Sequence, residues 1–207
     1  MELGEKVTTI NKWGALASFL IAAALIVAPL IYLSGNLRDT LGVFTYGLAD
    51  FLFGPILSVS LVTLIYVLRE KIGKSAARRM DLSLIAAILA AAGMAAVAFI
   101  RASNRHYFLA HPELNLENSA TVLTIWTTLV DGANSFGFHF LGWVFILLGS
   151  ANWDSRLFPR LLSGLYILAG VSSLFVYLFS ELEGLVILLA IISFTWQGVL
   201  LWNQKFK

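Results

Sequence analysis

Six long apolar blocks divide the sequence, and they constrain its fold more than any other feature. The blocks are Trp13–Leu33, Leu48–Leu68, Leu82–Ile100, about Val122–Leu148, Leu161–Phe179 and Gly184–Trp202. Each has about 19 residues or more, and a helix of that length, at about 1.5 Å per residue, crosses the ~30 Å hydrocarbon core of a bilayer. Because backbone groups in lipid must form hydrogen bonds within their own segment, the blocks should be helices. The sequence therefore predicts an all-α protein, with residues 1–207 forming one transmembrane domain of six helices.

The low content of charged residues supports the same fold. Only 13% of the 207 residues are charged and 59% are hydrophobic, whereas a soluble domain has about 25% charged residues. A soluble six-helix protein also needs helices with one polar face, and these blocks lack that amphipathic period. A membrane bundle is therefore favoured over a soluble one.

The basic residues indicate how the bundle lies in the membrane. If the amino terminus is inside, eleven of the 14 lysines and arginines fall in cytoplasmic segments. The other three are Arg38, Arg101 and Arg105. This asymmetry follows the positive-inside rule. It predicts a multi-pass membrane protein with both termini cytoplasmic, and it explains the basic charge without a nucleic-acid partner.

Several kinds of cofactor chemistry are excluded by residue type. There are no cysteines, so disulfides, thiolate catalysis and iron–sulfur ligation are excluded. No lysine lies within a block for a retinal Schiff base, and a single intramembrane histidine, His139, argues against a b-type haem. His106 and His111, in the polar connection 101–119, do not form a recognised zinc pattern. The sequence predicts no metal site and leaves any other cofactor undetermined.

Polar residues inside the apolar blocks are the candidates for function, because charges in a membrane are costly. Asp50 lies about 28 Å of helix from Arg69, which places it near the outer interface. Asp131 lies at a similar depth, and His139 about 12 Å further in. Along helix four, polar and aromatic residues follow the spacing of one helix face: Thr127, Asp131, Asn134, Ser135, Phe138, His139 and Gly142. This stripe should face other helices or a water-filled space.

Two prolines suggest where such a space would lie. Pro29 in helix one and Pro55 in helix two are in the outer halves of their helices. Each removes a backbone donor and frees a carbonyl, which neighbours or water must satisfy. Together with the stripe on helix four, they predict an outward-facing pocket between helices one, two and four. The alternative is a hydrogen-bond network that fixes helix packing.

Three functions are compatible with these features. The first is binding of a small amphiphilic or lipid-like ligand in the pocket. The ligand would contact Asp50, Trp126, Asp131, Asn134 and Phe138. The second is an enzyme acting on a lipid or isoprenoid substrate, with His139 as a catalytic general base. The third is a subunit of a homo-oligomer or membrane complex, assembled through the alanine-rich third helix.

The stretch from residue 136 to residue 170 resembles a known family. It contains Phe136-Gly137-Phe138-His139-Phe140-Leu141-Gly142, followed by Leu147-Leu148-Gly149, by Leu157-Phe158-Pro159-Arg160-Leu161-Leu162-Ser163-Gly164 and by Leu168-Ala169-Gly170. An aromatic, glycine-containing helix, a short inner connection and a Pro-Arg pair that opens the next helix resemble a bacterial family of small integral membrane proteins with a domain of unknown function. The resemblance implies a multi-helix membrane protein, expected in the bacterial plasma (inner) membrane, and assigns no reaction.

Overall fold

Helices make up most of the computed structural model, which describes residues 2–33, 43–72, 76–110 and 120–203. The helices are α1 (Glu2–Leu33), α2 (Val43–Phe51), a π-helical turn (Leu52–Ile56), α3 (Leu57–Ile72), α4 (Ala77–Ala110), α5 (Ala120–Ser155), α6 (Arg160–Leu174) and α7 (Leu182–Asn203). The π-turn joins α2 to α3 without a break, so these three elements form one column. No strand occurs within the described ranges, and the all-α prediction is confirmed.

The helices pack as a closed ring in chain order. Each of α4, α5, α6 and α7 packs against the helix that precedes it in this series, and α1 packs against both α3 and α7. The interior of the ring is a continuous apolar core. Its largest fully buried side chains include Leu61, Leu64, Met94, Phe145 and Phe194. The ring is closed because α1 and α7 pack against each other.

The outer surface of the ring is also largely apolar. Five helical stretches are long and apolar enough to cross a membrane: Thr9–Tyr32, Gly47–Ile72, Ala77–Ser103, Thr124–Ser155 and Leu182–Asn203. Large exposed side chains such as Val59, Phe99 and Leu188 cover their outward faces. A soluble protein rarely exposes so much contiguous apolar surface. The structure therefore supports a helical membrane bundle.

The fifth predicted span is where the structure corrects the sequence analysis. The hydropathy of the block Leu161–Phe179 predicts one helix, but α6 ends at Leu174 and turns follow up to α7. In those turns the Phe175 N–H bonds to the Ser172 carbonyl, and the Leu178 N–H bonds to the Phe175 carbonyl, at 3.1 and 3.0 Å. Such three-residue hydrogen bonds are tighter than those of an α-helix. Hydropathy does not distinguish the two, because the turn residues are also apolar.

The two ends of the bundle differ in how their charges are arranged. At the end that carries Trp13, here called the Trp13 end, Arg69 pairs with Asp81 and Arg79 pairs with Asp154. These ion pairs join neighbouring columns of the ring. The opposite end is here called the Tyr32 end. Tyr32 of α1, Phe53 of the π-turn and Glu183 of α7 surround a cavity there. Among the described residues, the ion pairs thus lie at one end of the bundle, and polar groups surround a space at the other.

Small residues allow α5 to approach both of its neighbours closely. A Cβ atom added at Gly93 of α4 would lie 2.8 Å from the backbone of Gly137 in α5. On the other side of α5, a Cβ atom at Gly170 of α6 would lie 2.7 Å from the Gly142 carbonyl oxygen. Ser173 adds a hydrogen bond from its hydroxyl to the Phe138 carbonyl at 2.7 Å. Helices in membranes associate through such close backbone contact, so α5 is held tightly between α4 and α6.

Candidate ligand-binding cavity

A cavity of about 250 Å³ lies at the Tyr32 end of the ring. The residues that line it are Ala28, Pro29, Tyr32, Phe53, Arg101, Asn134, Glu183 and Ile187. They come from α1, the π-turn, α4, α5 and α7, so every column of the ring except α6 contributes. Because these columns surround a common interior, the cavity lies near the axis of the bundle.

The π-turn shapes one wall of this cavity. Within Leu52–Ile56, Pro55 has no N–H to donate, and the Leu57 N–H bonds to the Leu52 carbonyl, five residues back. Gly54 permits close packing here, because a Cβ atom on it would lie 2.3 Å from the Ala98 Cβ. The widened turn places Phe53 against the cavity. Such π-turns in α-helices occur often at functional sites.

A chain of polar contacts runs along the rim of the cavity from α2 to α4. The Tyr32 hydroxyl donates a hydrogen bond to the carboxylate of Asp50, a residue that is only 3% exposed. On the ring of Tyr32 lies the Arg101 guanidinium, with Cζ 5.0 Å from the ring centroid. A cation at that distance is attracted to the face of the ring. These contacts hold the Arg101 side chain over the cavity.

On the other side of the cavity, Glu183 and Asn134 lie side by side. Both residues line the cavity, and the charges of Arg101 and Asp131 act on the Glu183 carboxylate. Glu183 occupies the first turn of α7, where the helix dipole favours an acid. The cavity is therefore lined by a guanidinium, a carboxylate and an amide, with apolar walls provided by Ala28, Pro29, Phe53 and Ile187.

Below the cavity, apolar side chains fill the interior of the bundle. Leu57, Met94 and Phe138 are fully or almost fully buried, and they belong to the same core cluster as Leu64 and Phe145 nearer the Trp13 end. This packed core separates the cavity from the far end of the bundle.

The sequence-predicted site residues near the cavity occupy three different settings. Asn134 lines the cavity directly. Asp50 is buried one contact away, behind Tyr32. Asp131 is exposed on α5 and acts on Glu183 through its charge. Pro29, used in the sequence analysis to locate the pocket, is part of the lining.

The other three predicted site residues lie away from the cavity lining. Trp126 is partly buried between α5 and α4, and its Nε1 donates to the Ile100 carbonyl at 3.4 Å. Phe138 is in the core. His139 is partly exposed, its Nε2 accepts a hydrogen bond from Trp143 Nε1 at 3.3 Å, and its ring meets Phe140 edge-on. The stripe predicted on helix four, which is α5 in the structure, is therefore divided between the cavity, the core and the outer surface.

Sequence reasoning missed Tyr32, Arg101 and Glu183 as site residues. Arg101 and Glu183 flank apolar blocks, and charges in such positions are expected to be solvated groups outside the membrane. In the structure Arg101 lies within α4, which continues to Ala110, and Glu183 lies in the first turn of α7. A signal was present in the sequence. The predicted outer ends of four apolar blocks carry Tyr32, Asp50, Arg101 and Glu183. Equal depth in a bundle allows such residues to meet.

Metal binding receives no support from the described part of the chain. Among the described residues, no three histidine, aspartate or glutamate side chains are grouped closely enough to hold an ion. The His106 side chain and all of His111 lie outside the described residues. For those two histidines the sequence prediction stands as a prediction.

Comparisons with known proteins leave the cavity as the main guide to function. No family model matches the chain, and neither the search of curated proteins nor the search of solved structures found a match.

Proposed function

We propose that this protein binds a small amphiphilic or lipid-like ligand in the cavity at the Tyr32 end. The observation that carries the proposal is the division of the cavity lining into apolar walls and a polar rim. Ala28, Phe53 and Ile187 offer apolar contact, while Arg101, Asn134 and Glu183 offer charge and hydrogen bonds. Ligand sites are typically apolar spaces with a few fixed polar groups, and an amphiphile has both kinds of surface.

We further propose that the chain crosses a bacterial plasma membrane six times, with the Trp13 end in the cytoplasm. The basic residues support this orientation through the positive-inside rule. Five crossings are the long apolar stretches given above, and the additional one is the segment that contains α6, which is the fifth along the chain. Arg160 lies over the ring of Trp153 at the Trp13 end, with Cζ 5.9 Å from its centroid, whereas Glu183 lines the cavity at the opposite end. The cavity then faces the outer side of the membrane.

Filling the cavity tests the binding proposal. Replacement of Ile187 with tryptophan adds bulk to an apolar wall of a space of about 250 Å³. We expect the amount of amphiphile that co-purifies with the protein to fall about tenfold or more, equivalent to at least about 1.4 kcal/mol of lost binding. The measurement is quantitative mass spectrometry of compounds extracted from the purified protein, normalised to protein.

The neighbouring residue provides the matched control. Leu188 is on the same helix and 55% exposed, and it does not line the cavity. Leu188→Trp should therefore retain the amphiphile at the wild-type level. Equal loss in both variants, or full retention in Ile187→Trp, would be evidence against the cavity as the binding site.

The two alternative functions receive less support from the arrangement of residues. Catalysis by His139 requires that the imidazole reach a bound substrate, and His139 is not among the residues that line the cavity. Assembly through the predicted third helix, which is α4 in the structure, requires that its small residues are available on an outer face. Five alanines of α4 are buried within the bundle: Ala86, Ala87, Ala90, Ala91 and Ala98. Ligand binding is therefore the function we favour.

A further inference from the structure

Charges of opposite sign line the same cavity without forming an ion pair with each other. Arg101 and Glu183 both face the space. Among the residues that the structure describes, the ion pairs within 4 Å are Arg69–Asp81 and Arg79–Asp154, both at the Trp13 end. The distance between Arg101 and Glu183 is therefore too long for direct pairing, although the guanidinium still acts electrostatically on the carboxylate.

Neighbouring side chains hold both charges in place. Arg101 lies over the ring of Tyr32, which is fixed in turn by its hydrogen bond to Asp50. Glu183 is in the first turn of α7 and lines the cavity together with Asn134. Because these neighbours orient the charges, a ligand group that arrives between them meets a prearranged cation and a prearranged anion. Such preorganisation reduces the entropic cost of binding.

Among the residues that the structure describes, several acids lie around the cavity. One guanidinium, that of Arg101, faces the carboxylate of Glu183, and the carboxylates of Asp50 and Asp131 lie close by. A ligand that carries only negative charge would gain from Arg101 but would be repelled by Glu183. A ligand that carries both charges would be complementary to both sides of the cavity.

Size and depth indicate which part of a lipid would fit. The volume of about 250 Å³ is below the ~300–1,000 Å³ typical of drug-sized ligands, so the cavity is suited to a headgroup rather than to a complete lipid with its chains. Tyr32 follows Trp13 by about 28 Å of helix, close to the thickness of the hydrocarbon core. The cavity therefore lies at the level of the headgroups.

We infer that the cavity binds a zwitterionic headgroup, with its phosphate at Arg101 and its ammonium group at Glu183. A guanidinium binds phosphate oxygens through charge-assisted hydrogen bonds, and a carboxylate accepts from an ammonium group in the same way. Asn134 would support the ammonium side of the site. This inference rests on the proposed function and specifies the class of amphiphile.

A competition between two lipids tests the inference. The full-length protein is offered equal amounts of phosphatidylethanolamine, which has the ammonium group, and phosphatidylglycerol, which lacks it. Native mass spectrometry then counts each bound lipid. We expect the wild type to retain phosphatidylethanolamine about tenfold more, as for one charge-assisted contact. Glu183→Gln should make the two lipids equal, and Arg101→Gln should weaken both about tenfold.

Control variants separate the site from its surroundings. Glu181→Gln removes an exposed acid two residues from Glu183, and Arg78→Gln removes an exposed arginine far from the cavity. Both should keep the wild-type preference. The preference of the wild type tests the inference even if a cavity variant does not fold.

The possible results distinguish the two proposals. Equal retention of both lipids by the wild type would overturn the zwitterion inference, while the proposed binding function would stand. A preference unchanged in Glu183→Gln would overturn the inference in the same way. If neither lipid binds and no other amphiphile co-purifies, the proposed function itself fails. Soluble phosphoethanolamine should not displace the lipid, and its binding in place of lipid would contradict a membrane source for the headgroup.

Discussion

Replacing Gly170 with leucine should prevent the chain from forming the folded bundle. Even one Cβ atom at this position would lie 2.7 Å from the Gly142 carbonyl oxygen and 2.7 Å from Ile146 Cγ1. Helix α5 has no room to move away, because its opposite face is in contact with α4 at Gly93 and Gly137. Gly170→Ala should lower the free energy of unfolding by about 1–3 kcal/mol, the usual cost of overpacking. Gly170→Leu should cost more and yield no monodisperse protein.

Helix α6, which contains Gly170, also contains the matched control for this prediction, Gly164. A Cβ atom added at Gly164 would have no neighbouring atom within 4 Å, so a side chain there meets open space. Gly164→Ala and Gly164→Leu should fold and should unfold at the wild-type denaturant concentration or slightly above it, since both residues favour a helix more than glycine does. Unfolding in detergent, followed by circular dichroism, measures all four variants. Equal stability of the alanine variants at 164 and 170 would contradict the close packing of α5 and α6.

Single cysteines should report which side of the membrane each end of the bundle faces. The chain has no native cysteine, so each substitution gives one reactive site. Cysteines at Lys12, Ala77 and Asn203, exposed residues at the Trp13 end, should resist an impermeant thiol reagent added to intact cells. A cysteine at Thr121, exposed near the start of α5, should react. Labelling is close to all-or-none, so the expected effect is large.

The positions 12 and 203 also test the number of crossings. They lie near the start of the apolar stretch Thr9–Tyr32 and at the end of α7, and six crossings put them on the same side. Disruption of the cells should make all the protected cysteines reactive, which controls for burial within the protein. Reaction of Asn203→Cys in intact cells while Lys12→Cys stays protected would indicate an odd number of crossings. Protection of Thr121→Cys with reaction of the other three would invert the proposed orientation.

Much of the fold could be predicted from the sequence because lipid imposes a strong constraint on each segment separately. A block such as Leu82–Ile100 must be helical in a membrane whatever it packs against. The helices nevertheless extend past the predicted spans, as α4 does from Ala77 to Ala110. Charged and polar residues end the apolar pattern, but they do not end a helix. The early end of α6 at Leu174 was missed for the opposite reason, because the turns that follow it are as apolar as a helix.

The candidate site was less predictable because it depends on how the columns are arranged in the ring. Sequence spacing places Asn134 and His139 on one stripe of α5, but packing against α4 and α6 directs only Asn134 toward the cavity. The contributions of Arg101 and Glu183 require that α4 and α7 face a common interior. Local sequence does not specify this relation. It specified depth, and depth alone would have grouped Tyr32, Asp50, Arg101 and Glu183 as neighbours at one end.

The most direct test of the account is an experimental map of the protein in lipid nanodiscs, inspected for non-protein density in the cavity. We expect density that lies between Arg101 and Glu183 and extends to Ile187. The same map of Ile187→Trp should lack it. A cavity that is closed, or that holds only isolated water-sized peaks in the wild type, would contradict the binding of an amphiphile at this site.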